Sequence, residues 1–244
     1  MSISVTRIGV PAWAPFRALL CALTALALGA CATAPADPNA ANESAAVRGS
    51  DMWFVYLELG KPSPADKAQM DAMQRGHIAN FQRLFAEKKL IAAGPLSDPA
   101  GTRRGIVVVR AAERSLLTEY FKPDEYVREG YLKLDAIPCV ANKALSTEGI
   151  DSSGIEEVRI VQVMRSPALS PADATAQRAA LKGLVDRGVF GAWYTLDAGP
   201  VAEILFSRNK DDKALQTALA ATPAVKAGAG VAVWGQWFSK GVLK

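Results

Sequence analysis

Residues 77–95 read His77-Ile-Ala-Asn80-Phe81-Gln-Arg-Leu84-Phe-Ala-Glu-Lys-Lys-Leu90-Ile-Ala-Ala-Gly94-Pro95. This stretch is the end of an amphipathic helix running into a buried strand. Upstream, Met70, Met73, His77, Phe81 and Leu84 recur at steps of three and four and so share one helical face. His77, the single histidine of the chain, therefore lies in the apolar stripe. A titratable ring on a packing face needs a polar partner. The candidate is Asp124, in Pro123-Asp124-Glu125-Tyr126-Val127-Arg128-Glu129-Gly130.

Working outward, Met52 to Leu59 reads as a strand from its aromatic and branched residues. Pro62 and Pro64 end it, and the helix spans about 65–88. Strands follow at Leu90 to about Leu96 and Arg104 to Arg110, joined by a turn through Asp98, Pro99 and Gly101. A helix over about 112–121, a helical turn at 123–130 and a strand over 131–140 complete a βαββαβ order.

That order recurs. Strands are predicted at 158–164, 189–196, 201–207 and 231–238, with helices at 172–187 and 210–220. Tyr126 to Gly130 aligns with Ala224 to Gly228 at a spacing of 98 residues, and the same spacing sets Ile106-Val107-Val108 over Ile204-Leu205-Phe206. Matching order at a constant spacing argues for duplication. A four-stranded sheet with both helices on one face leaves its other face bare, and two such units can cover each other. The expected fold is α+β: two ferredoxin-like βαββαβ units forming an intramolecular dimeric α+β barrel of eight strands. The chain is then a pseudo-dimer in itself and is expected to be a monomer.

The N-terminus carries a different signal. Arg7 and Arg17 precede an uncharged apolar run from Ala18 to Ala30, too short to span a bilayer and laid out like a secretory signal peptide. It ends in Leu28-Gly29-Ala30-Cys31, which resembles the lipobox of bacterial lipoproteins, in which the cysteine is lipidated and becomes the first mature residue. The expected divisions are a signal peptide at 1–30, a flexible tether at 31–50, a first domain at 51–142, a linker at 143–156 and a second domain at 157–244. The tether lacks large apolar residues and would reach on the order of 25 Å. These features imply a lipid-anchored envelope protein facing the periplasm, and Ala32 after Cys31 fits outer-membrane sorting.

Cleavage would remove Arg7 and Arg17 and lower the formal charge from +4 to +2. With no Lys/Arg cluster, nucleic acid is not an expected partner. Cys21 would be lost and Cys31 lipidated, so Cys139 has no disulfide partner and reads as a small buried residue. One histidine and one thiol do not make a zinc site, so no metal is expected. No cofactor is expected; haem on His77 is conceivable but weakly supported. Ser207-Arg208-Asn209-Lys210 matches Ser-x-x-Lys by chance, because it falls at a strand end instead of opening a helix. Trp53, Tyr56, Trp193, Trp234 and Trp237 fall in predicted strands, as core residues or as the lining of a cavity between the sheets.

His77-x-x-Asn80, Leu90-Ile-Ala-Ala-Gly94-Pro95, the Arg104-Gly-Ile-Val-Val-Val109 strand and Asp124-x-Tyr126-Val127-x-x-Gly130 together resemble the YCII-related (YciI-like) domain family. The resemblance covers about 52–140 well. It covers 157–240 more weakly, through Thr222-Pro223-Ala224-Val225-Lys226-Ala227-Gly228. It implies a ferredoxin-like fold paired into a barrel, and a His–Asp active-site pair at His77 and Asp124. Gly94, Pro95, Arg104 and Tyr126 would line the substrate site. The chain departs from the family pattern at Glu125 and Thr222, and has Thr175 or Ala176 where the second histidine would stand, so one working site and one degenerate copy are expected.

A His–Asp pair can move protons: the carboxylate fixes the tautomer and leaves the other ring nitrogen free. It can equally pin one helix to another. Arg103 and Arg104 could meet an anionic substrate or lie in a solvated loop. Three functions remain open: acid/base catalysis on a lactone-like or related small molecule, noncatalytic ligand binding in the envelope, and a structural or interaction role. A polar cavity around His77 favours the first, an apolar one the second, and a filled barrel the third.

Overall fold

The computed structural model describes residues 51–64 and 66–244. The signal peptide, the lipidated Cys31 and the tether expected over 1–50 lie outside the described residues. The first half comprises β1 (Met52–Leu59), α1 (Lys67–Ala86), β2 (Leu90–Ser97), β3 (Arg103–Arg110), α2 (Arg114–Phe121), α3 (Glu125–Arg128) and β4 (Leu132–Lys143). The second comprises β5 (Asp151–Met164), α4 (Pro171–Asp186), β6 (Ala192–Leu196), β7 (Val201–Ser207), α5 (Asp212–Ala220), α6 (Pro223–Lys226) and β8 (Val231–Lys240).

All eight strands close into one barrel in the order β1-β3-β2-β8-β5-β7-β6-β4, with every neighbouring pair for which a register is given antiparallel. Each half contributes four consecutive strands, β4-β1-β3-β2 and β8-β5-β7-β6. The halves meet at two seams whose registers correspond: Leu96 faces Gln236 at one, and Leu196 faces Cys139 at the other.

Strand β1 shows why the sheet needs cover on both sides. Met52, Phe54 and Tyr56 point into the barrel and join Ile106, Val108, Ile160, Tyr194 and Phe206 there. Trp53, Val55 and Leu57 point outward and pack with Leu84, Leu117 and Phe121 under the helices. The run that is apolar from Met52 to Leu57 suits a strand buried on both faces. The interior between the sheets holds side chains from both halves. Each fully buried Phe or Leu contributes about 2 kcal/mol by removal from water.

Helix α1 is capped by Asp66, whose carboxylate accepts from the Ala68 amide at 2.9 Å. Its buried face is Met73, His77, Asn80 and Leu84. Asn80 donates to the Tyr120 carbonyl at 3.1 Å, and Arg83 donates to the same oxygen at 2.9 Å, tying α1 to the end of α2. The helix ends in a Schellman turn: the Lys89 amide donates to the Leu84 carbonyl and the Lys88 amide to that of Phe85. Helix α4 ends the same way, with Val189 on Leu184 and Gly188 on Val185.

The linker expected over 143–156 is shorter in the fold, because β5 begins at Asp151. The Ser, Gly and acidic residues there suggest a loop, yet Asp151, Ile155 and Glu156 pair with Lys240, Ser239 and Phe238 of β8 around a bulge. Salt bridges from Glu156 to Arg208 and from Glu157 to Arg159 and Lys210 hold the acidic side chains outside. No described helix is long and apolar enough to cross a membrane.

Candidate functional site

His77 and Asp124 meet. The His77 Nδ1 lies 2.5 Å from Asp124 Oδ2, although the residues are 47 positions apart. Asp124 is the N-cap of α3, and its Oδ1 accepts from the Tyr126 amide at 3.1 Å. One carboxylate therefore caps a helical turn and holds a ring on α1. Asp124 is fully buried, whereas His77 keeps 9% of its surface. An ionised carboxylate only accepts, so Nδ1 carries the proton in the neutral ring and Nε2 is the basic nitrogen. Nε2 has no hydrogen-bond partner among the described residues. Phe81 and Tyr126 flank the ring, with centroids 4.4 and 5.6 Å away. The Tyr126 phenol is held above its ordinary pKa by burial first, then by the charges of Asp124 and Asp71.

His77 borders a cavity of about 740 Å³ between α1 and the outer face of the sheet. Gly94, Pro95, Arg104 and Tyr126 line it too, so all four residues named from the sequence as substrate-binding lie in its wall. Asp124 does not; it lies behind the histidine. Gly94 also has a packing reason to be glycine. A Cβ there would fall 1.9 Å from the Trp237 carbonyl, because β8 crosses it closely at the seam.

Sequence reasoning missed the far wall. Trp237, Phe238 and Ser239 of β8 and Ile155 of β5 close the cavity from the second half. In the sequence Trp237 reads as a strand aromatic, in the core or lining a cavity between the sheets, and not as a neighbour of His77. No local signal marks these residues, since their place depends on a seam of just two paired positions, Leu96 with Gln236 and Ser97 with Gly235.

The second half closes the corresponding place. Ala93 faces Val107 and Pro95 faces Gly105 in β2–β3; Trp193 faces Leu205 and Thr195 faces Glu203 in β6–β7. Where Ala93 and Gly105 leave room, Trp193 and Glu203 fill it. The indole donates to Glu203 Oε2 at 2.8 Å, and the Thr195 hydroxyl donates to the same oxygen at 2.8 Å. Burial raises the Glu203 pKa, partly offset by those two hydrogen bonds and by the charges of Arg165 and Arg178.

The residue standing for His77 is Gln177, and not Thr175 or Ala176 as the spacing of 98 suggested. Gln177 is the buried polar residue of α4, and its Oε1 accepts from the Ala224 amide at 2.9 Å. Ala224 in α6 holds the place that Tyr126 holds in α3. A neutral amide thus makes directly the bond that Asp124 makes in the first half. The difference has a simple cause: the first β-hairpin is two residues longer than the second, so the spacing is 100 from His77 to Pro95 and 98 from Gly105 to Tyr126.

Other candidates resolve as packing. Cys139 is fully buried in β4, and its thiol is pushed up to about 12, mainly by burial. The Ser207 hydroxyl donates to the Val189 carbonyl, and Lys210 pairs with Glu157. No group of three or more His, Cys, Asp or Glu that could hold a metal is found among the described residues.

No protein-family model matches the chain, and a comparison with curated proteins finds no match. Solved structures that resemble it include a heme-binding protein from Thermus thermophilus, at 14% identity and TM-score 0.47, covering 78% of this chain and 94% of that one. A chlorite dismutase variant from Candidatus Nitrospira defluvii resembles it at 12% identity and TM-score 0.48, covering 80% and 94%. Likenesses this distant carry no argument about ligand or reaction. The resemblance to the YCII-related family is corrected by these findings: no model of any family matches, and the resembling structures bear other descriptions. The His77–Asp124 pair and the cavity stand on their geometry alone.

Proposed function

We propose that the first half carries a small-molecule site in which His77 transfers protons and Asp124 holds its ring. One observation carries this reading: the corresponding place in the second half is filled by Trp193 and Glu203, and there the neutral amide of Gln177 accepts from the turn's Ala224 amide where the first half uses a His–Asp pair. Docking a helix on that turn takes a single neutral amide. A short His–Asp pair facing an open cavity exceeds what packing requires. The chemistry within reach is acid/base catalysis on a small molecule held in the cavity, with Nε2 as base and then acid.

Noncatalytic binding is the second reading, favoured by the largely apolar wall around Phe81, Leu132 and Trp237. A thermal-shift screen of small molecules on the purified protein, repeated with Ala93→Trp and His77→Gln, separates the two. Ligands that stabilise the wild type but not Ala93→Trp support the site. Turnover lost in His77→Gln with binding retained supports catalysis, and a screen in which no ligand distinguishes wild type from Ala93→Trp would sink both readings.

We infer further that the two halves descend from one duplicated ferredoxin-like unit, supported by their matching strand orders and seam registers. The barrel would be held at the envelope by lipid on Cys31, a reading supported by the basic residues, apolar run and Leu28-Gly29-Ala30-Cys31 box. Cys31→Ser should leave the protein unprocessed or soluble; a mature mutant that still fractionates with membranes would refute the anchor.

A further inference from the structure

Five large apolar side chains stand exposed among the described residues, and three of them, Leu59, Ile78 and Ile155, belong to the wall of the His77 cavity. They come from β1, α1 and β5, so no single element's amphipathicity accounts for their convergence. The basic groups of the wall are His77 and Arg104, and it contains no Asp or Glu.

Arg104 differs from its neighbour. Arg103 is engaged by Glu58, Asp135, Gln162 and the ring of Tyr56. Arg104 has no ion pair or hydrogen bond from its side chain to any described residue. A cation without a counter-charge, set in a cavity with an apolar mouth, asks for a ligand with one anionic head and an apolar body. A single guanidinium matches the two oxygens of a carboxylate. A phosphate, carrying close to two charges, would find only one permanent positive charge in this wall, that of Arg104.

We propose that the cavity receives an amphiphilic carboxylate. Its head pairs with Arg104, and its apolar body lies against Phe81 and Trp237 and leaves the cavity over Leu59, Ile78 and Ile155. This rests on the reading of the cavity as a small-molecule site and adds the class of molecule.

The test uses the single histidine as reporter. The Hε1 resonance of His77 is followed in the full protein, freed of any histidine tag, during titration with octanoate and with octan-1-ol. Octanoate should shift the line saturably at concentrations about tenfold lower than the alcohol, the scale of one charge-assisted pair. Arg104→Gln, an exposed position, should abolish that preference. Equal binding of acid and alcohol, or a preference that survives Arg104→Gln, would overturn the carboxylate assignment and leave the cavity reading intact. No shift with either compound would overturn both.

Discussion

The phenol of Tyr56 donates to the side-chain oxygen of Gln162 at 2.8 Å in the barrel interior. These residues hold matching places in the two halves, because Tyr56 faces Ile106 and Gln162 faces Ile204 in equivalent strand pairs. The two halves are thus joined in the barrel interior by a polar cluster, in which the Gln162 oxygen accepts from Tyr56 and, at 3.3 Å, from Arg103. Burial raises the phenol far above its ordinary pKa, against the opposing charge of Arg103. Tyr56→Phe should cost about 1–2 kcal/mol in urea unfolding, the worth of a buried hydrogen bond. A loss within error would mean that the Tyr56–Gln162 bond adds nothing to the strand pairing and packing that join the halves.

Lys88 has a φ of 58°, and it is the one non-glycine residue with positive φ among those described. Gly188 occupies the same turn of α4 with a φ of 75°. A side chain in that region is strained, whereas glycine is not. Lys88→Gly should stabilise the protein by about 0.5–1 kcal/mol, and Gly188→Ala should destabilise it by a similar amount. Paired denaturation curves check both signs at once.

Glu203 gives a pH signature. Its carboxyl binds a proton more tightly in the fold than in the unfolded chain. Its contribution to stability is therefore full below the ordinary carboxylate range and is lost as pH rises through the raised value. Glu203→Gln keeps an oxygen for Trp193 and Thr195 but does not titrate. The variant should exceed the wild type at neutral pH by on the order of 1 kcal/mol and match it in acid. Stability curves that run parallel across that window would show that Glu203 does not carry the effect.

Asp124→Asn tests the pair without removing the cap, since both residues cap helices well. The new amide can donate to Nδ1, which would move the ring proton to Nε2. Nitrogen-15 shifts of the single histidine should report the change of tautomer, with far-ultraviolet circular dichroism unchanged. An unchanged tautomer would mean that Asp124 does not set the ring's state.

Residues 51–142 expressed alone should not behave as a soluble monomer. Without the second half, Phe54, Tyr56, Ile106, Val108 and Ile137 would face water. Sedimentation should find a homodimer or aggregates. A stable monomer would argue that each half folds independently of its partner.

The sequence makes the barrel legible where local pattern and burial coincide. Strand β1 is apolar from Met52 to Leu57 because that stretch is covered on both faces. Helix α1 announces itself by its stripe, and His77 stands out in that stripe. The Asp124 partner is legible too, because a polar ring on an apolar face demands one. Other features have no local trace. Trp237 and Ile155 reach the site only through strand pairing across a seam. Residues 151–156 look like a loop, because acidic and small residues are tolerated in a strand whose outer face is solvated. The place of Gln177 is obscured by two extra residues in a distant hairpin.

The seam through the cavity has a consequence for how the protein is made and kept. His77 leaves the ribosome long before Trp237, so a nascent first half cannot hold a ligand between the two walls. Binding can reward only a chain whose barrel has closed, and the reward is then spread over the whole barrel by mass action. In a cell, a ligand of this cavity would therefore protect finished molecules from proteolysis and leave half-made ones exposed.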